Sequence, residues 1–323
     1  AALGTICPSD RGLEIFKGLS KYSTDKLARI VNRTKVKVKV HRKVRGLYIL
    51  ARVKSGSRTA ECLLRGAHTA VAYLKVDGKT VYKGESRRGR VGPGELMSFK
   101  EIFEQVTRVN SEVLDLMRKV GNVNGKASRT ALGYFKKCGS GFTASLFSAL
   151  EESGELSTLS GRVELATAAA TEARMKGLHI EVMASSGSGN QGIIATIPVL
   201  ETAKYIHASS RMLLTALAIS HIVTAYVTSH VGYLTAMCGC VTKAGLGASA
   251  GMAYLLGGGD FSCTECAMSN MLASVAGSLC DGAKTSCSLK AAFSASCALK
   301  SAYLGVKGYR PAPGDGIVGC TIE

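Results

Sequence analysis

With 323 residues, 46% of them apolar, the chain can bury a large core in two domains or one elaborate one. Its 11 cysteines show no small-domain spacing and no secretory signal precedes them, which points to reduced thiols in the cytoplasm rather than a disulfide frame. The net charge of +18 is one-sided: 30 of the 41 Lys/Arg but 11 of the 23 Asp/Glu fall in residues 1–140, leaving the rest near neutral.

In chain order, a helix is predicted from Gly12 to Arg33, with Leu13, Phe16, Leu19, Leu27, Ile30 and Val31 on one face. The period then drops to two. Lys35–His41 alternates charge and valine, and Gly46–Lys54, Arg58–Arg65, Ala70–Val76 and Thr80–Lys83 continue as strands, with a hairpin signal in VDGK at Val76–Lys79. This is an antiparallel sheet of four or five strands. Its basic face would suit an anion, and a non-enzymatic anion- or nucleic-acid-binding role is one reading. The aromatic interleaving that stacks bases is missing, however, with only Tyr48 near Lys35–Arg45, which argues against nucleic acid.

After a Gly/Pro-rich linker at Ser86–Gly94, helices dominate. Ser98 and Glu101 form a capping box, Asn110 caps a helix through Val120, and helices follow at Ala127–Lys137, Ala144–Glu152 and Arg162–Lys176. Further helices fall near Ile193–His207, Arg211–Thr228, Leu234–Leu255, Ala267–Leu279 and Ser288–Leu304. No uninterrupted apolar run is long enough to span a bilayer. Ser220 and His221 break Met212–Val227, which reads as a buried helix. The fold class is α+β: residues 1–95 form a helix plus antiparallel sheet region, and residues 96–323 a helical domain.

Two stretches carry chemistry. In MASSGSGNQGIIATIPV, Met183–Val199, Ser185, Ser186, Ser188 and Asn190 alternate with glycines just before a helix. Hydroxyls and free N–H groups at the positive end of a helix dipole seat a carboxylate or phosphate. A plain glycine linker is the bland alternative; the Walker ending and the Rossmann βαβ context are both absent. In GSLCDGAKTSCSLK, Cys280 sits at an Asp-Gly turn and Cys287 re-enters a helix, while MCGCVTK holds Cys238 and Cys240 and GIVGCTIE holds Cys320. Singly, each thiol reads as a small buried hydrophobe. Together, with glycine or turn chemistry beside each, they read as a metal–sulfur site. A zinc site from Cys238, Cys240, Cys263 and Cys266 has the weaker spacing.

Those motifs, with ISHIVTAY, LTAMCGCVTKAGLGASAGMAYLLGG, GDGIVGCTIE and RGAHTAVAYLKVDGK, resemble the L-cysteine desulfidase family, itself similar to the α-domain of iron–sulfur L-serine dehydratases. The resemblance implies a serine-dehydratase-α-like catalytic domain over residues 96–323 that carries a 4Fe–4S cluster. It implies conversion of L-cysteine to pyruvate, ammonia and hydrogen sulfide, with L-serine as the alternative substrate. The family's cluster ligands map to Cys280 and Cys320, the dehydratase relatives add Cys240, and Cys238 and Cys287 stand in reserve. A further family ligand lies in a GCTEP-like motif upstream of this sequence, which begins without Met and reads as a fragment. The general base is open among Lys284, His68 and His221, each equally a packing or orienting group. Arg174 is a second candidate for the substrate carboxylate, or the member of a surface ion pair. The expected partner is the small amino-acid substrate, with a homo-oligomer open and no membrane.

Overall fold

The computed structural model describes residues 24–41, 43–44, 47–66, 70–84 and 97–322. By contact the chain forms two units, residues 1–48 and 49–323. The domain boundary expected at 95/96 and the first half of the helix expected from Gly12 lie outside the described residues.

The first unit contains α1, Thr24–Arg33, with Asp25 in its first turn and Arg33 in its last, each at the end the helix dipole favours. The strand expected at Lys35–His41 does not form: the segment joins no ladder, and Val38 and Val40 stand 86% and 83% exposed. Alternation alone cannot make a strand when nothing covers its apolar side.

From Tyr48, where the units meet in sequence, the chain forms a four-stranded antiparallel sheet in sequential order: β1 (Tyr48–Ser55), β2 (Arg58–Arg65), β3 (Val71–Val76) and β4 (Lys79–Lys83). Asp77 and Gly78 both take positive φ, 48° and 78°, the two-residue turn that the VDGK signal demands. Asp77 also accepts the Thr59 N–H at 2.6 Å, which pins this hairpin to its neighbour.

The helices then follow: α2 (Phe99–Thr107), α3 (Ser111–Cys138), α4 (Phe142–Glu152), α5 (Leu159–Met175), α6 (Gly189–Tyr205), α7 (Ser210–Val231), α8 (Gly239–Thr242), α9 (Ala244–Leu256), α10 (Phe261–Val275) and α11 (Cys287–Val306). The α+β class is as expected. Ser98 Oγ accepts the Glu101 N–H and Glu101 accepts the Ser98 N–H at 2.8 Å, so the capping box at α2 is present. Ser98→Ala is expected to lower unfolding free energy by about 1 kcal/mol in a urea titration. An unchanged midpoint would mean that Phe99, 1% exposed, fixes this helix end alone.

Three helices differ clearly from expectation, the first being α10, which runs Phe261–Val275 where Ala267–Leu279 was expected. The helices expected either side of Gly121–Gly125 are one, α3, because Met117, Val120, Asn124, Ala127, Ala131 and Phe135 form an unbroken buried face. The helix expected over Leu234–Leu255 is instead broken. Gly232 ends α7 at φ 84°, and the chain then bends at Tyr233, Leu234 and Ala236 before Met237 bridges Leu279.

α9 lies at the centre, buried from Ala244 to Ala253 and packed by α7, α11, α10 and α6. A Cβ added at Gly247 would stand 2.3 Å from Ser220 O, so α7 and α9 meet backbone to backbone. Among the described residues α7 is the one helix long and apolar enough to cross a membrane; 61% of that stretch is buried among its neighbours.

Candidate active site

The glycine-serine stretch folds into a tight turn that feeds α6. Ser185 N donates to Ser188 O at 3.1 Å and Ser188 N to Ser185 O at 2.9 Å, with Ser186 at φ 45° and Gly187 at φ 77°. A serine in the left-handed region costs roughly 1–3 kcal/mol and persists where its surroundings impose it. Ser188 Oγ accepts the Gln191 N–H at 3.4 Å as the helix N-cap, so that hydroxyl is engaged in folding. Asn190 is engaged too: its Oδ1 accepts from Arg174 Nη1 at 3.0 Å. Ser186 Oγ and Gln191 Oε1 are buried with no protein partner.

Beneath the turn lies Asn124, a residue with no exposed surface that sequence reading passed over. Its Nδ2 donates to Met183 O and Gly192 O, both at 3.2 Å, and to Thr196 Oγ1 at 2.9 Å, and its Oδ1 accepts the Met183 N–H at 2.8 Å. It thereby ties α3 to both ends of the turn. Thr196 Oγ1 donates to Gly192 O at 2.6 Å and meets His221 Nε2 at 3.0 Å. With the Thr196 proton committed, Nε2 is the donor. Burial lowers the His221 pKa to about 4, so the imidazole is neutral at pH 7.

The thiols are gathered from three segments. Cys238 N donates to Ser278 O at 2.8 Å and Cys280 N to Ala236 O at 2.7 Å, around the Met237–Leu279 bridge. Cys287 opens α11 and its Sγ accepts the Lys284 N–H at 3.5 Å. Asp281 holds this turn shut by pairing with Lys284 at 2.7 Å and Lys290 at 3.1 Å. Those two cations depress its carboxyl pKa to about 2.

The Cys238 and Cys240 thiols share a hydrogen bond. That bond pulls the Cys238 pKa down against burial, helped by the N–H groups of Val241 and Cys240 and by Lys290. The same bond, burial and the charges of Cys238, Cys287 and Cys280 push Cys240 well up. The pair therefore sheds one proton readily and keeps the other. Cys238, Cys280 and Cys287 are thus near enough for their charges to act on Cys240.

Lys243, 1% exposed, lies beside them. Its Nζ donates to the carbonyls of Gly232 and Tyr233, and its pKa falls through burial, opposed by Cys240, Cys238 and Cys280. The turn before α6 and the thiol segment touch: a Cβ at Gly239, between Cys238 and Cys240, would lie 2.8 Å from Gln191 Nε2.

Other expected site residues fall elsewhere. Cys320 is exposed on the C-terminal segment, its carbonyl accepting from Arg310 Nη2 at 2.7 Å. Lys284 is exposed and paired with Asp281. Cys263 and Cys266 belong to α10, where the Cys263 thiol donates to Asp260 at 3.5 Å. His68 lies outside the described residues. Among the described residues no three His, Cys, Asp or Glu side chains stand in metal-binding geometry. Lys243 and Gln191 had one signal in sequence, a lone cation or amide between a chemistry-bearing motif and an apolar helix.

An antiparallel sheet followed by a helical bundle, with a helix-capping serine turn set against a cysteine-rich one, defines the class of protein. The serine dehydratase alpha chain family, a family of lyase-type enzymes, matches residues 11–323, and the chain belongs to it. It is 36% identical to a UPF0597 protein of Kosmotoga olearia, over all of this chain and 76% of that relative. A UPF0597 protein of Clostridium botulinum is 34% identical and one of Methanocella arvoryzae 32%, over all of this chain and 75% and 76% of each. No solved structure matches.

Proposed function

We propose that this protein eliminates hydrogen sulfide from L-cysteine, leaving pyruvate and ammonia, with elimination of water from L-serine as the second reading. The observation that carries it is the contact of Gln191 with Gly239, which sets an anion-seating helix end against a cluster of thiols. The second reading is favoured by the family description, serine dehydratase alpha chain.

The donor set suits a 4Fe–4S cluster. Cys238, Cys240, Cys280 and Cys287 offer only soft sulfur, and the buried Lys243 ammonium balances negative charge there. Cys320, a ligand by resemblance, stands on a different segment, and three of the other four thiols would hold the cluster. Held by three thiolates, it would keep one iron open and supply Lewis acidity toward the leaving sulfur.

The protein's own groups do the rest. The turn Ser185–Ser188 and the first N–H groups of α6 seat the substrate carboxylate, Ser186 directly and Ser188 and Asn190 by shaping the turn. His221, neutral and with Nε2 occupied as a donor, offers Nδ1 to the Cα proton. The Cα–H and Cβ–S bonds break, sulfide leaves with a proton as hydrogen sulfide, and the resulting aminoacrylate takes up water to give pyruvate and ammonia.

Protein prepared without oxygen and assayed with each amino acid tests this. Sulfide and pyruvate released in equal amounts from L-cysteine support the first reading. Pyruvate from L-serine alone selects the second, and a colourless protein carrying stoichiometric zinc removes both.

A further inference from the structure

Arg174 stands in the last turn of α5, yet its guanidinium lies against the beginning of α6. A Cβ added to Gly189, the first residue of α6, would fall 2.5 Å from Arg174 Nε and 2.9 Å from Cζ. Nη1 donates to Asn190 Oδ1 at 3.0 Å, and no carboxylate pairs with the group among the described residues. α6 is 17 residues long, and its N-terminal end is positive. A guanidinium held there without a counter-ion is repelled by the helix it touches. Its own helix, α5, favours a cation at its C-terminal end, but that does not explain the side chain's reach across to Gly189.

A second demand lies one residue further on. Gln191 is 6% exposed and its Oε1 is buried without a partner, while its Nε2 faces Gly239 in the thiol segment. An unpartnered buried amide oxygen costs about 1–3 kcal/mol and calls for a donor. Ser186 Oγ, also buried and unpartnered, sits in the same turn. Arg174 is therefore disposed toward an anion, and Gln191 Oε1 toward a hydrogen-bond donor.

We propose that Arg174 and Gln191 recognise the two charged groups of a zwitterionic α-amino acid: Arg174, with the α6 N–H groups, takes the α-carboxylate, and Gln191 Oε1 takes the α-ammonium. This rests on the elimination reading for the site's location and deepens it by naming the recognition groups. Asn190 positions the guanidinium through its carbonyl oxygen, and Gly189 is the residue that lets it approach. Contact of Gln191 with Gly239 directs the third substituent of Cα, the side chain, toward the thiols. A 2-hydroxy acid would leave Gln191 Oε1 without its ionic donor, and an amine without a carboxylate would leave Arg174 uncompensated.

Calorimetric titration of the anaerobic protein with L-serine, ethanolamine and 3-hydroxypropionate tests the assignment, since each of the last two lacks one charged group. Arg174→Gln is expected to weaken L-serine binding at least tenfold and to leave ethanolamine binding unchanged. Arg174→Lys is expected to recover most of the loss. Gln191→Met is expected to weaken L-serine and ethanolamine while sparing 3-hydroxypropionate. Unchanged L-serine affinity in Arg174→Gln overturns the proposal, as does an equal loss for all three ligands, which marks a structural role. Turnover separates the two readings. L-serine binding that depends on Arg174 without release of sulfide from L-cysteine or pyruvate from L-serine removes the elimination reading and keeps this one. Full turnover in Arg174→Gln does the reverse, and a wild type that binds no amino acid removes both.

Discussion

Cys280→Ala is expected to yield a folded, colourless protein with iron and acid-labile sulfide near background and turnover reduced by roughly a hundredfold or more. The thiol is exposed, so its removal leaves no cavity and the melting temperature of the metal-free protein should hardly move. Its backbone N–H, bonded to Ala236 O at 2.7 Å, is untouched by the substitution, and the Met237–Leu279 bridge survives with it. A packing role predicts the opposite pattern: lower stability with iron intact. Cys263→Ala is the control, because that thiol stands on α10 and bonds Asp260 rather than the other sulfurs. Iron measured per chain in Cys280→Ala, Cys263→Ala and wild type decides the matter. Full iron in the Cys280 variant would sink the assignment of the cluster to this group.

Sequence made some of this legible for identifiable reasons. β2 matches its expected range because its alternation meets a real partner on each side, and the VDGK turn has dihedrals only such residues adopt readily. Lys35–His41 has stronger alternation than β2 and forms no strand, since pattern reports what a segment can bury and not whether anything is there to cover it. The turn before α6 was visible because serines and glycines flank a helix start. What its residues do was not: Ser188 caps and Asn190 holds Arg174, roles that depend on neighbours 3 and 16 positions away.

Asn124 and Lys243 escaped notice because a lone polar residue in a helical run usually faces water. Here both are buried, Asn124 against the segments at Met183 and Gly192 and Lys243 against the carbonyls of Gly232 and Tyr233. Asn124 was further disguised by Gly121 and Gly125, which suggested a break where α3 runs on. Cys287 stood in reserve because its nearness to Cys240 arises only when the segment after α10 folds back on the one before α8.

Asn124→Ala is expected to have the largest effect on stability of any substitution outside the hydrophobic core. The two N–H groups of its amide are shared among Met183 O, Gly192 O and Thr196 Oγ1, and its Oδ1 accepts the Met183 N–H, joining α3 to Met183, Gly192 and Thr196. Gly192 O retains the Thr196 hydroxyl, so it is not orphaned. Met183 is half-buried and loses both the donor to its carbonyl and the acceptor of its N–H. Two such losses at about 1–3 kcal/mol each, partly relieved by water, come to about 3 kcal/mol. For a unit of this size that is a fall of roughly 6–12 °C in Tm. The turn Ser185–Ser188 then loses its footing, so kcat/KM for the amino-acid substrate should drop with it, while iron content stays at the wild-type level because no thiol segment rests on Asn124. Asn124→Asp is the sharper probe. It keeps the acceptor for the Met183 N–H but sets a carboxylate oxygen against the Met183 and Gly192 carbonyls, and should be at least as damaging as alanine. A melting curve, an iron determination and a kcat/KM value on both variants are the measurements. Wild-type kinetics in Asn124→Ala at a temperature where it remains folded would show that the turn holds its shape without α3.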